Sequence, residues 1–152
     1  DALEQVFEKT GKPLSAVMVG DGPDLDAYLA RAEQLPGGVS VTFHEPMPAR
    51  QAFAMARTVV VPSRAESMPY IVLEVLAANR PLIATRTGGI PEIFGDAQAN
   101  ELVEPGSVAA LAEAMLVAPP ANAALHSRVR ESFASNVMAR GVADAYASAL
   151  VR

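Results

Sequence analysis

The chain has 152 residues, with 12 Lys and Arg against 17 Asp and Glu, a formal net charge of −5, and its basic residues are scattered rather than clustered. Nucleic-acid recognition neutralises phosphates with clustered cations, so a phosphate-backbone binder is excluded. At 51% hydrophobic and 19% charged the chain should fold around a core, its length suits one domain, and no apolar stretch approaches a membrane span, which predicts a soluble chain. Without cysteine there is no disulfide framework, thiolate nucleophile or zinc–thiolate cluster, which fits a reducing compartment. The opening DALEQVFEKT is charged and lacks the apolar segment of a secretory signal; it reads as the middle of something longer.

Short β-branched runs bounded by Gly and Pro alternate with Ala-rich segments of helical spacing, the pattern of βαβ units. Asp1 to Thr10 should be helical, with Leu3, Val6 and Phe7 on one face and Gly11 as its stop. The run Leu14 to Gly20 is continuously apolar, as a strand covered on both faces would be. Pro23 opens a second helix where its missing N–H costs nothing, with Leu25, Tyr28, Leu29 and Ala32 as the buried stripe up to Leu35 and Gly37-Gly38 as its end. A strand Val39 to Phe43, a helix from about Pro48 to Ala56 and a strand Thr58 to Val61 continue the rhythm. Pro69 starts a helix through about Asn79 that leads at once into a strand, Pro81 to Thr85. Gly88-Gly89 then break the chain before a short helical turn, Pro91 to Phe94. A last strand near Leu102-Val103 runs into Pro105-Gly106, and Ser107 caps a helix whose Leu111, Ala114 and Met115 face inward. Pro119-Pro120 reads as a hinge, followed by two helical stretches, Asn122 to Ser135 and Ala139 to Val151. Residues 120–152 are therefore expected to form a helical tail, the least anchored part of the domain.

Strands alternating with helices over this length predict an α/β fold with a doubly wound, Rossmann-like parallel sheet. Ligands in such sheets bind beyond the carboxyl ends of the strands, which directs attention to loops 20–23, 44–48, 62–69, 86–91 and 104–107. The loop 62–69 joins a strand to a helix whose first turn has free backbone N–H groups, an anion site suited to a diphosphate. Glu66 falls in that loop and Glu74 in the second turn of the helix, so two carboxylates can face one crevice and accept hydrogen bonds from hydroxyls. The plainer alternative is that Glu66 complements the helix dipole and Glu74 is a solvated surface acid.

The stretch VVVPSRAESMPYIVLEVLAANRPLIATRTGGIPEIF resembles the donor-binding core of the retaining, nucleotide-sugar-dependent glycosyltransferases of the GT-B fold, the group 1 or family 4 class. The matching pieces are Pro62-Ser63, then Glu66 and Glu74 as Glu-x7-Glu, the strand Pro81 to Thr85, and Gly88-Gly89-Ile90-Pro91-Glu92. Val19-Gly20-Asp21-Gly22-Pro23 upstream and Leu102-Val103-Glu104-Pro105-Gly106 downstream extend the resemblance, in family order, from residue 1 to about residue 117.

The resemblance implies a C-terminal, donor-binding half of a GT-B enzyme that transfers a sugar from a nucleoside-diphosphate sugar, with retention, to a glycan, lipid or other acceptor. The nucleotide sugar is a substrate, and no cofactor or metal is implied. Glu74 would hold the ribose hydroxyls, and Glu66, the candidate catalytic residue, the hydroxyls of the transferred sugar. The N–H groups of Ser67, Met68 and Tyr70 would meet the diphosphate where Pro69 opens the helix, with Gly20, Gly22, Gly88 and Gly89 as donor neighbours. Glu45 or a neighbouring carbonyl, on the loop that usually faces the base, would read it; the plainer alternative is a surface loop. A separate N-terminal domain would bind the acceptor, so the isolated domain is expected to be inactive. The family's opening strand, whose following loop brings an Arg and a Lys to the diphosphate, lies before Asp1, so the domain of residues 1–152 is expected to be incomplete at its N-terminus. The helix entry reads Ser-Met-Pro-Tyr and the third strand is followed by His44-Glu45, where many members carry glycine. Cytoplasmic work, or work at the inner face of a membrane with the whole protein bound peripherally, follows from the same resemblance.

The remaining candidates are bland. His44 and His126 sit in no metal-ligand spacing and are expected at the surface. Gly20-Asp21-Gly22 lacks the third glycine of a dinucleotide fingerprint, so both glycines are turn formers first. A nucleotide-sugar epimerase or another Rossmann-like nucleotide-binding enzyme is the rival enzyme reading. A small receiver or binding module would need an acidic cluster at the strand ends, and only Asp21 follows the first strand.

Overall fold

The computed structural model describes residues 1–150. Twelve named strands and helices follow in chain order, together with a 3-10 turn at Ala99–Glu101. They are α1 (Ala2–Thr10), β1 (Leu14–Val19), α2 (Leu25–Glu33), β2 (Val39–His44), α3 (Ala49–Ala54), β3 (Val59–Val61), α4 (Tyr70–Ala77), β4 (Leu82–Ala84), α5 (Ile90–Phe94), α6 (Val108–Val117), α7 (Ala123–Ser132) and α8 (Ser135–Leu150). The local signals act as expected at several ends. Gly11 takes a left-handed φ of 63° and its N–H reaches the Phe7 carbonyl. The Ser107 hydroxyl accepts from the Ala110 N–H at 3.2 Å, and Asn122 Oδ1 accepts from the Ala124 and Leu125 N–H groups.

β1 and β2 pair in parallel from Leu14↔Val39 to Val19↔His44, and β3 and β4 pair in parallel from Val59↔Leu82 to Val61↔Ala84. The expected single sheet is therefore two ladders, and among the described residues no backbone hydrogen bond joins β1 to β3. The strand expected near Leu102-Val103 reduces to a single parallel bridge, Thr85↔Val103, in which the Val103 N–H donates to Ala84 and its carbonyl accepts from Arg86. Pro105-Gly106 follows too soon for a longer ladder.

The main core gathers Val61, Val72, Leu76, Ala84, Ile90, Ile93, Phe94 and Leu102 with Leu125 and Val129 of α7. A smaller cluster joins α1 to α6 through Ala2, Val6 and Ala112, with Leu14, Leu111 and Met115 packed on it. Two expectations about burial fail. Of the α2 stripe, Tyr28 and Leu29 are exposed and Leu25 and Ala32 only half-buried, and β1 exposes Met18 and Val19 rather than being covered on both faces. A ladder of two strands about 5 Å apart is narrower than the roughly 10 Å diameter of a helix, so it shields neither its own faces nor the helix on it.

The stretch after Pro120 is not uniformly a loose tail. α7 inserts Leu125 and Val129 into the main core, and His126, expected at the surface, is half-buried with Nδ1 2.9 Å from the Leu76 carbonyl at the end of α4. The break between the last two helices lies at Phe133-Ala134 rather than after Ser135, and the expected end at Val151 lies outside the described residues. α8 buries none of its residues. Among the described residues no helix is long and apolar enough to cross a membrane.

Leu125→Ala should lower unfolding stability by about 2–5 kcal/mol through the cavity it leaves. Met138→Ala on α8 should change it by no more than about 0.5 kcal/mol. Denaturant unfolding of both variants checks this, and equal small effects would show that α7 is no more anchored than α8.

Candidate functional site

The loop 62–69 leaves β3, climbs past the carboxyl end of the sheet and enters α4, and it rests on the chain segment after β4. Thr85, a buried polar side chain with 2% exposure, donates its hydroxyl to the Ser63 carbonyl at 2.6 Å. The Thr87 hydroxyl reaches the Arg64 carbonyl at 3.4 Å, and the Gly89 N–H donates to the Ser67 carbonyl at 2.6 Å. Gly88 has φ +51°, and a Cβ there would overlap the Glu66 carbonyl; a Cβ on Gly89 would lie 2.7 Å from the Ser67 carbonyl oxygen. These two glycines, expected as donor neighbours, are thus explained by backbone packed on backbone, and Gly89 is itself buried.

On that support Glu66 is half-buried, and its Oε1 accepts a 2.7 Å hydrogen bond from the Ser63 hydroxyl. Pro69 is buried and is the N-cap of α4, which has no side-chain cap. The N–H groups of Ser67, Met68 and Tyr70 find no acceptor among the described residues, so the helix entrance presents free donors, with the Tyr70 side chain 71% exposed beside them. Free amides at a helix N-terminus, reinforced by the helix dipole, can hold an anion.

Glu74 is exposed in the second turn of α4, and its carboxylate has no partner among the described residues. It lines a cleft of about 350 Å³ with Ile71, with Val19 and Gly20 at the end of β1, with Pro46 and Met47 after β2, and with Ala49 and Ala52 of α3. The structure therefore brings Gly20 and Glu74, 54 positions apart in sequence (74 − 20), to one wall-lined space. Glu45 is exposed and does not line it, although its neighbours Pro46 and Met47 do. Glu66 and the amides of Ser67, Met68 and Tyr70 are not in the lining of the cleft that Glu74 borders. Gly22 also stays outside the lining and acts as a turn former: its N–H donates to Asp21 Oδ1 at 2.8 Å and its carbonyl accepts from Leu25. Gly20, with φ 143°, extends the ladder through an N–H bond to the His44 carbonyl at 3.0 Å. Among the described residues no three His, Asp or Glu side chains converge to hold a metal ion.

Two arginines that the sequence did not single out hold this framework. Arg128 of α7 donates Nε to the Ile93 carbonyl and Nη2 to the Glu92 carbonyl, each at 2.9 Å, and so satisfies carbonyls of α5, whose other end is the Gly88-Gly89 turn. Arg80, after α4, donates to the Phe53 carbonyl at 2.8 Å and to that of Ala56, which fixes the end of α3, a wall of the cleft. A guanidinium spreads several donors in one plane, which suits it to bridging paired carbonyls. No spacing in the sequence announces either contact, since the partners lie 24 to 36 residues away.

Residues 1–118 match the family described as glycosyl transferases group 1. Among relatives, TuaC of Bacillus subtilis, a glycosyltransferase named for teichuronic acid biosynthesis, is 35% identical over 113 residues, covering 74% of this chain and 28% of its own. The sulfoquinovosyl transferase SQD2 of Arabidopsis thaliana is 32% identical over 114 residues, 71% of this chain and 21% of its own. The D-inositol 3-phosphate glycosyltransferase of Corynebacterium glutamicum is 33% identical over 122 residues, 75% of this chain and 29% of its own. The chain thus spans between a fifth and a third of the length of these relatives. A fold of parallel strands joined by helices, a helix entrance whose amides are free, and a match over residues 1–118 converge: the chain belongs to the group 1 glycosyltransferases.

Proposed function

We propose that this domain binds the nucleoside-diphosphate sugar of a retaining GT-B glycosyltransferase, and that the whole protein passes the sugar to a glycan, lipid or other acceptor held by a separate domain. The observation that carries this reading is the uncapped N-terminus of α4, where the free N–H groups of Ser67, Met68 and Tyr70 lie between Glu66 before the helix and Glu74 within it. The diphosphate sits on those amides. Glu74, on the wall of the cleft, accepts from the ribose hydroxyls, and the base lies toward Gly20 and the segment after Glu45. Glu66 accepts from a hydroxyl of the transferred sugar.

Transfer breaks the bond between the anomeric carbon and the diphosphate oxygen and makes one to an acceptor hydroxyl oxygen, whose proton passes to the departing diphosphate. Negative charge develops on the leaving phosphate, and preorganised N–H dipoles aimed at it stabilise that charge without reorienting. The free edges of β1 and β3 support the reading that a further strand lies between them in the whole protein, its following loop adding cations to the diphosphate. The names of the relatives, spanning teichuronic acid biosynthesis, sulfoquinovosyl transfer and inositol 3-phosphate glycosylation, share sugar transfer and support that part of the reading. Work in the cytoplasm, with the whole protein peripheral to a membrane where the acceptor is a lipid, belongs to the same proposal. The epimerase reading is not favoured, because the named relatives are transferases.

With the whole protein and a panel of UDP-glucose, UDP-N-acetylglucosamine and GDP-mannose, calorimetry should find one donor that binds. Glu74→Ala should weaken both that donor and its nucleoside diphosphate by about 1.5–3 kcal/mol, the range for a hydrogen bond to a charged group, whereas Glu66→Ala should weaken the donor alone. Both variants binding both ligands as the unmodified protein does would refute the assignment. Gly88→Ala forces a side chain against the Glu66 carbonyl at a left-handed φ, and should cost about 1–3 kcal/mol of stability together with donor affinity. An alanine variant with unchanged melting temperature and donor affinity would show that the clasp does not matter. The 152-residue chain alone should show no sugar transfer, and turnover by it would contradict the two-domain reading.

A further inference from the structure

We infer that Ser63 is a positioning residue that holds one oxygen of the Glu66 carboxylate so that the other alone meets the transferred sugar; the inference rests on the reading of Glu66 proposed above.

The chain of contacts starts in the core. Thr85 follows β4 and is 2% exposed, and its hydroxyl holds the Ser63 carbonyl at 2.6 Å. Ser63 is thereby tied to the sheet, and its own hydroxyl donates to Glu66 Oε1 at 2.7 Å, the length of a charge-assisted bond to a carboxylate. Glu66 Oε2 has no partner among the described residues. The backbone beneath is held separately, by Gly88 against the Glu66 carbonyl and by the Gly89 N–H on Ser67. Without the Ser63 hydroxyl the backbone of Glu66 would stay in place while its side chain regained rotamers, and a carboxylate free to turn loses part of its binding energy to ordering. The Ser63 hydroxyl makes no bond to Ser67, Met68, Tyr70 or Glu74, so the diphosphate and ribose contacts do not pass through it.

The test compares Ser63→Ala, Ser63→Thr and Glu66→Ala in the whole protein, using the sugar donor of the panel that binds and the matching nucleoside diphosphate. Ser63→Ala should weaken the sugar donor about tenfold, the scale of one hydrogen bond to a charged group, and leave the nucleoside diphosphate within about twofold. Ser63→Thr, which keeps the hydroxyl, should restore donor affinity to within about threefold of the unmodified protein. In steady state the Ala variant should raise KM for the donor more than it lowers kcat. Equal weakening of both ligands would mark a merely structural role and overturn the inference, as would a selective loss that Ser63→Thr does not recover. Selective weakening by Glu66→Ala with no effect of Ser63→Ala would overturn the inference and leave the reading of Glu66 standing. No selective effect of Glu66→Ala would remove that reading and the inference with it.

Discussion

The hydrogen bond from the Gly89 N–H to the Ser67 carbonyl, with Gly88 pressed against the carbonyl of Glu66, is the constraint on which the rest of the site depends. A strand-to-helix loop of eight residues, 62–69, has many conformations, and most would scatter the free amides and the carboxylate it carries. Backbone contact closer than a Cβ allows removes that freedom without using the amides themselves. The donors of Ser67, Met68 and Tyr70 stay open because the clasp uses the Ser67 carbonyl instead. Support comes from the Gly88-Gly89 turn, which leaves those amides free for the anion proposed to bind there.

The same logic extends outward through main-chain carbonyls. Arg128 ties α5 to α7, and α7 is locked into the main core by Leu125 and Val129, so the turn that supports the loop is referred to the most buried part of the protein. Arg80 does the equivalent for α3 on the far wall of the cleft. By contrast, the unit of β1, β2 and α2 has little burial, with Met18, Tyr28 and Leu29 exposed. One side of the cleft is thus firmly built while the end of β1, which supplies Val19 and Gly20, rests on a ladder with a free edge.

Element order was legible in the sequence because it depends on short-range chemistry: Gly11, Ser107 and Asn122 end or begin helices through contacts within four residues. Burial was less legible. The α2 stripe has the right spacing, yet spacing states which residues share a face and not whether anything wide enough covers it. α7 was underestimated for the opposite reason: only Leu125 and Val129 mark its buried face, in a stretch otherwise polar or small. Within the site, the ordered motifs located the loop, both glutamates and the Gly-Gly turn. They did not reveal that the glycines serve the loop, because that follows from where backbone atoms sit; nor did they reveal Arg128 and Arg80, whose carbonyl partners carry no residue-type signal. Glu45 and Gly22 were placed near the donor by their loops and by the resemblance; neither is in the lining of the cleft, and Gly22 is held in a turn by Asp21.

The central claim is that a diphosphate is seated on the amides at the entrance of α4. Amide hydrogen exchange resolved to single residues, with and without saturating nucleoside diphosphate, measures this directly in the whole protein. The account predicts new protection at Ser67, Met68 and Tyr70, whose N–H groups are otherwise free, and little change at Gly89, whose N–H is already bonded. Binding that leaves those three amides unprotected would contradict it.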